Sequence, residues 1–251
     1  MNTENAAFGA AASTVPTATA TATATAVTAT AAPITSPVEP SWSGGPGVAT
    51  EPDGPEVRPP APLRIAVVLG SNRDGRFGPV VADWLLKEIG VRPELRAELV
   101  DVGAVDLPTT LPGRPSPEVA AEVAKVTPAL AGAEAFVVLT PEYNHSYPAA
   151  LKNLIDWHYD EWQAKPVGFV SYGGISGGLR AVEHLRQVFA ELHAVTVRDT
   201  VSFANAGSQF DDDGAHRDPS AAGAAVKSLL DQLTWWGLTL REGKEARPYG
   251  S

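Results

Sequence analysis

The chain has no cysteine. Disulfides, thiolate nucleophiles, iron–sulfur clusters and Cys-ligated zinc are therefore excluded. Any redox chemistry must be carried by an organic cofactor. No Lys or Arg precedes Arg58, and the early alanines alternate with threonine. The beginning thus lacks the basic and apolar regions of a secretory leader. No apolar run reaches the roughly 18 residues of a spanning helix. These absences predict a cytoplasmic protein with no membrane partner. Basic charge is also scarce: 19 Lys and Arg stand against 29 Asp and Glu, a net charge of −10. That balance disfavours nucleic acid as a partner. It leaves room for a local basic pocket, and Arg73 with Arg76 would form one.

Residues 1–62 are rich in Ala, Thr, Pro and Gly, with TATATATA inside them. Too little apolar surface is present to offset chain entropy, which predicts a flexible tail. From Leu63 strand and helix patterns alternate. Apolar runs at Leu63–Leu69, Leu95–Val102, Ala135–Thr140, Pro166–Ser171 and Val195–Val201 read as strands. Between and after them, helices are predicted over Pro79–Ile89, Pro117–Ala131, Tyr147–Tyr159, Gly178–Leu192 and Pro219–Trp236, with a long polar loop over Phe203–Asp218. Such alternation implies an α/β protein with a five-stranded parallel sheet and helices on both faces. The domain spans 63–240, with 241–251 as a C-terminal tail.

Ligands of such sheets bind beyond the carboxyl ends of the strands, at the switch in strand order. Three loops should meet there, and they are the richest in Gly, Asn, Ser and Tyr. The first, Gly70–Gly78, turns a buried strand into a helix through GSNRDGR. It fits neither the dinucleotide glycine motif nor the P-loop motif. Its side-chain donors, Ser71, Arg73 and Arg76, suit a terminal phosphate monoester on a helix N-terminus. The second, Pro141–Tyr147, offers Tyr143 and Tyr147 as planar walls and Asn144 as donor and acceptor. The third, Tyr172–Gly178, carries four glycines that let backbone N–H groups approach a ring edge. A phosphate at one end and a flat polar heterocycle at the other describes FMN in a flavodoxin-like fold, for which an α/β three-layer sandwich with a five-stranded parallel sheet of order 2-1-3-4-5 is expected.

GSNRDGR, PEYNHSYPAALKNLIDW and SYGGISGG together resemble the NADPH-dependent FMN reductase family, over about Leu63–Leu240. The resemblance implies that Ser71, Arg73 and Arg76, with the backbone of Gly75–Gly78 (Gly75 and Gly78 included), hold the FMN phosphate. It implies Pro141, Glu142, Tyr143 and Asn144 along the isoalloxazine, and Ser171, Gly173 and Gly174 at its pyrimidine side. It further implies an oxidoreductase that uses NADPH or NADH to reduce flavin, then passes the electrons to free FMN or another small acceptor. Neither a protein acid nor a protein base is required, so no catalytic residue is named. Family members are homodimers or homotetramers with the flavin near a subunit boundary, which points to helix Tyr147–Tyr159 as the contact. Alternatives are a quinone or azo-compound reductase with tightly held FMN, an electron carrier without nicotinamide activity, and a nucleotide-binding regulatory module.

Other residues have ordinary explanations. Glu142, His145 and Ser146 invite a hydrolytic triad, but no G-x-S-x-G elbow exists. Asp211–Asp213 with Gly214 lack calcium-loop spacing. His184, His193 and His216 lack metal-ligand spacing, so no metal is expected. Lys152 and Asp156 form an i,i+4 pair beside Asn153. Trp157, His158 and Trp162 read as core or interface. Of Trp235 and Trp236, one ring is expected on the sheet and the other in an interface.

Overall fold

The computed structural model describes residues 61–250. The expected tail over 1–62 lies, through residue 60, outside the described residues. Five parallel strands, β1 (Leu63–Leu69), β2 (Leu95–Asp101), β3 (Ala135–Pro141), β4 (Pro166–Gly173) and β5 (Val195–Ala204), pair in the order β2-β1-β3-β4-β5. Six helices cover the sheet: α1 (Gly78–Gly90), α2 (Pro117–Ala124), α3 (Thr127–Gly132), α4 (Ala149–Asp156), α5 (Leu179–Glu191) and α6 (Pro219–Ala246).

The two-residue period of the strands divides the core. Ile65, Val67 and Leu69 face Val81, Leu85 and Ile89 of α1 and Leu229, Leu230 and Leu233 of α6. Ala66 and Val68 face Leu130 of α3, Leu151, Leu154 and Ile155 of α4, and Leu185 and Phe189 of α5. Helices on both faces bury the central strands completely, which is why β3 reads as an unbroken apolar run. Because all five strands run parallel, the loops after β1, β3 and β4 leave the sheet at the same edge.

The structure corrects the expected elements in four places. The helix expected over Pro117–Ala131 breaks into α2 and α3. Pro128 has no N–H, and its ring conflicts with the carbonyl four residues back. The Thr127 hydroxyl instead donates to the Val123 carbonyl at 2.9 Å. The segment expected as a polar loop from Phe203 begins inside β5, and Phe203 and Phe210 are both buried against Trp84. The helix expected over Tyr147–Tyr159 is shorter, because Tyr143–Ser146 forms a turn and Pro148 precedes the first helical residue. Finally, α6 does not end at Trp236 and residues 241–246 are not a tail. The helix runs to Ala246, and Arg241 grips Glu134 through two hydrogen bonds of 2.7 and 2.8 Å. Arg241 also donates to the carbonyls of Ala61 and Pro62. Within α6, Trp236 packs on the core and Trp235 is exposed, their rings meeting edge to face.

Candidate functional site

The loop after β1 runs from Gly70 into α1. Ser71 is fully buried, whereas Asn72 and Arg73 are exposed. Arg73 makes no side-chain hydrogen bond or ion pair among the described residues, so its guanidinium faces solvent unpaired. Phe77 gives the start of α1 no side-chain cap, and Pro79 occupies its first turn. The helix therefore begins with open N–H groups and the positive end of its dipole. Gly75 supports the turn at φ 62°. Gly78 meets a different demand: a Cβ there would lie 2.6 Å from Leu69 and 2.8 Å from the Tyr172 hydroxyl.

Arg76 has another role than Arg73. Its Nη1 and Nη2 donate to the two carboxylate oxygens of Asp101, at 2.6 and 2.5 Å. Nη1 also donates to the Ser71 carbonyl. The guanidinium lies against Gly103, where a Cβ would come within 3.0 Å of its Cζ. The bond to Asp101 raises the Arg76 pKa against an opposing burial effect. Arg76 thus ties the first loop to the end of β2, and its charge is already matched.

The loop after β3 makes a tight hairpin. Tyr143 and Ser146 exchange backbone hydrogen bonds of 2.8 and 3.0 Å, with Asn144 and His145 left-handed at φ 49° and 68°. Two central residues of positive φ define the primed turn that Asn favours. The turn displays Asn144 and His145 to solvent and sends Tyr143 inward, where its hydroxyl meets the Ser71 hydroxyl at 2.7 Å. Tyr143 therefore spans the second loop and the first.

Glu142 links the second loop to the third. Its side chain is only 5 % exposed. It accepts from the Ser176 hydroxyl at 2.8 Å, and from Arg180 through Nε at 2.6 Å and the backbone N–H at 3.2 Å. Burial opposes its charge, but Ser176 and Arg180 outweigh this and hold the carboxyl below the ordinary glutamate range. In the loop after β4, buried Ser171 donates to the Gly177 carbonyl at 2.8 Å, and Ser202 donates to the same carbonyl at 3.0 Å. Gly177 and Gly178 turn the chain at φ 60° and 86°. Gly174 is exposed and Gly173 half-buried, at the lip of the site.

All three loops thus converge, but not with every side chain aimed outward. Arg73, Asn144, Gly173 and Gly174 are presented at the edge. Buried Ser71 and half-buried Tyr143 form a hydroxyl pair beneath it. Arg76, Glu142 and Ser171 brace the loops from within. A hydrolytic triad does not form: Ser146 meets His184 at 3.0 Å, His145 meets Arg180 at 2.9 Å, and Glu142 contacts neither histidine. Sequence reasoning missed Asp101, Arg180 and the buried Tyr172 hydroxyl. The one local signal was the position of Arg180 in the first turn of the helix after the glycine loop. At the flank, α4 holds the segment after β2: Asn153 donates to the Leu107 carbonyl and Trp157 to the Pro108 carbonyl. Lys152 and Asp156 form their i,i+4 pair at 2.6 Å.

The site suits a phosphate monoester joined to a flat ring. It offers an open helix start, an unpaired arginine, and a buried Tyr172 hydroxyl without a hydrogen-bond partner beside the first residue of α1. No helix among the described residues is long and apolar enough to cross a membrane.

The NADPH-dependent FMN reductase family model matches residues 63–208. An NAD(P)H-dependent FMN reductase of Schizosaccharomyces pombe, C4B3.06c, is 40 % identical over 122 residues, which cover 46 % of this chain and 60 % of that protein. The match thus spans less than two thirds of that relative. The NADPH:quinone oxidoreductase of Arabidopsis thaliana is 33 % identical over 163 residues, 61 % of this chain and 81 % of that protein. Among solved structures, the flavoenzyme NAD(P)H:(acceptor) oxidoreductase FerB of Paracoccus denitrificans shares the fold with a TM-score of 0.56. It is 24 % identical and aligns over 70 % of this chain and 98 % of its own.

Proposed function

Because the chain belongs to the NADPH-dependent FMN reductase family, we propose that it binds FMN at the edge formed by its three loops. In this reading it uses NADPH or NADH to reduce a small acceptor there. The observation that carries this reading is the junction of the loops: Ser71 to Tyr143, and Glu142 to Ser176 and Arg180. These contacts tie the three loops to one another, which supports a single site shared by all three.

The Ser71 hydroxyl, the Arg73 guanidinium and the N–H groups from Gly75 to Gly78 would hold the phosphate. Pro141, Glu142, Tyr143 and Asn144 would flank the ring, with Asn144 as donor and acceptor for a polar edge. Backbone N–H groups of Gly173 and Gly174 would serve the pyrimidine side and favour negative charge there on reduction. Arg76, Glu142 and Ser171 act one step removed, by holding these loops in place. FMN held there would supply the redox chemistry that links NADPH or NADH to the acceptor. The protein contributes orientation and electrostatics, and no side chain is needed to move a proton.

The acceptor is free FMN or, as named for the Arabidopsis relative, a quinone. The same reading makes the protein cytoplasmic and a homodimer or homotetramer, with α4 near the subunit boundary. Ile175, 90 % exposed at the tip of the third loop, is suited to cover by a second copy. Light scattering on the purified protein measures that assembly.

An absorbance spectrum recorded before and after NADPH tests the function. The expected result is flavin bands that bleach with NADPH and recover on adding free FMN or a quinone. Protein that neither carries flavin nor binds added FMN would refute the reading. Yellow protein that leaves NADPH unoxidised would make it an electron carrier.

A further inference from the structure

Among the described residues, one buried side-chain polar atom lacks a hydrogen-bond partner: the hydroxyl of Tyr172. A buried hydroxyl left unpaired is costly, and such an atom in a native fold requires an explanation. Tyr172 lies near the end of β4, in register with Pro141 of β3 and Phe203 of β5. Its ring meets Phe77 edge to face at 6.2 Å, and its hydroxyl points under Gly78, where α1 begins. Burial pushes this phenol well above its ordinary range, so it stays protonated and is a donor. The Ser71 hydroxyl and the charge of Arg76 act in the opposite direction. Ser71 is itself fully buried and shares its hydroxyl with Tyr143.

A serine hydroxyl has one proton and two acceptor lone pairs. With an anion at the start of α1, Ser71 can give its proton outward and receive from both tyrosines. We propose that Tyr172 is a positioning residue for the FMN phosphate, its O–H donating to Ser71 Oγ so that the Ser71 proton is turned toward the dianion. This rests on the FMN reading above. It makes β4 a contributor to phosphate binding, although its own loop serves the ring. It also gives the orphaned hydroxyl a partner, in the lone pair that Ser71 leaves open beside Tyr143.

Tyr172→Phe in the full chain removes the hydroxyl and keeps the ring. Melting without flavin is expected to be unchanged or higher, because an unpaired group is lost. The Kd for FMN, followed by flavin fluorescence, is expected to rise about three- to tenfold. The Kd for riboflavin, which lacks the phosphate, is expected to stay the same. The double variant Ser71→Ala/Tyr172→Phe is expected to lose no more FMN affinity than Ser71→Ala alone, because Tyr172 works through Ser71. Equal weakening of FMN and riboflavin, unchanged FMN affinity, or additive losses in the double variant would each overturn the proposal. If the wild-type chain binds FMN no tighter than riboflavin, the phosphate site itself is wrong and the inference falls with it.

Discussion

Arg73 and Arg76 stand three residues apart and look equivalent in sequence, yet their surroundings assign them opposite tasks. Arg73 is exposed and unpaired among the described residues, whereas Arg76 is locked to Asp101. Arg73→Ala should weaken FMN by about 1.5–3 kcal/mol, roughly ten- to 150-fold in Kd, and leave melting unchanged. Fluorescence titration beside a thermal scan measures both. Arg76→Ala should instead lower stability by about 1–3 kcal/mol, since Asp101 loses its partner while only partly solvated. It should weaken FMN and riboflavin alike, because the loop loosens. A variant of Arg76 that lost FMN affinity alone would return it to the phosphate. The outward residues of the site were legible in sequence because each sits in a short loop of special composition. The braces were not. Asp101 is 25 residues from Arg76, Arg180 is 38 from Glu142, and Tyr172 reaches Gly78 only through the strand order. No local pattern encodes such pairs.

The three inner strands were the most legible elements, because burial on both faces writes β1, β3 and β4 as apolar runs, whereas the edge strands β2 and β5 keep exposed residues. Helix ends were the least. Pro128 divided one expected helix in two, a break that the residue type itself could have signalled. The extension of α6 had no such signal, since its last third reads as polar. Its anchor is Glu134, 107 residues away. Burial opposes the Glu134 charge, but Arg241 and Arg64 outweigh it and hold the carboxyl below the ordinary range. A lowered carboxylate pKa means stability present above the ordinary value and lost as pH falls through the folded one. Arg241→Ala should therefore cost about 1.5–3 kcal/mol at pH 7 in denaturant unfolding. The difference from wild type should shrink below about pH 4. A cost independent of pH would mean that Arg241 acts through packing alone.

At the scale of the molecule, one sheet and two apolar layers carry the fold, and composition leads to the expectation of a tail over residues 1–62. Removing 1–59 keeps the Ala61 and Pro62 carbonyls that Arg241 holds, so melting temperature and turnover should stay nearly unchanged. A large drop in either would give those residues a part in the domain. The matched pair at Arg76 and Asp101 has a consequence for the molecule's long-range field. With Arg73 next to Asp74, the two arginines and two aspartates around the first loop sum to zero. The chain as a whole carries −10. A doubly charged ligand is thus drawn in at short range by the Arg73 guanidinium and the open start of α1, against a weak repulsion from afar. Salt screens the attraction as well as the repulsion, so the two changes partly offset. Raising sodium chloride from dilute buffer to seawater strength should weaken FMN binding by only about threefold, and a loss of roughly a hundredfold would expose an uncompensated cationic trap.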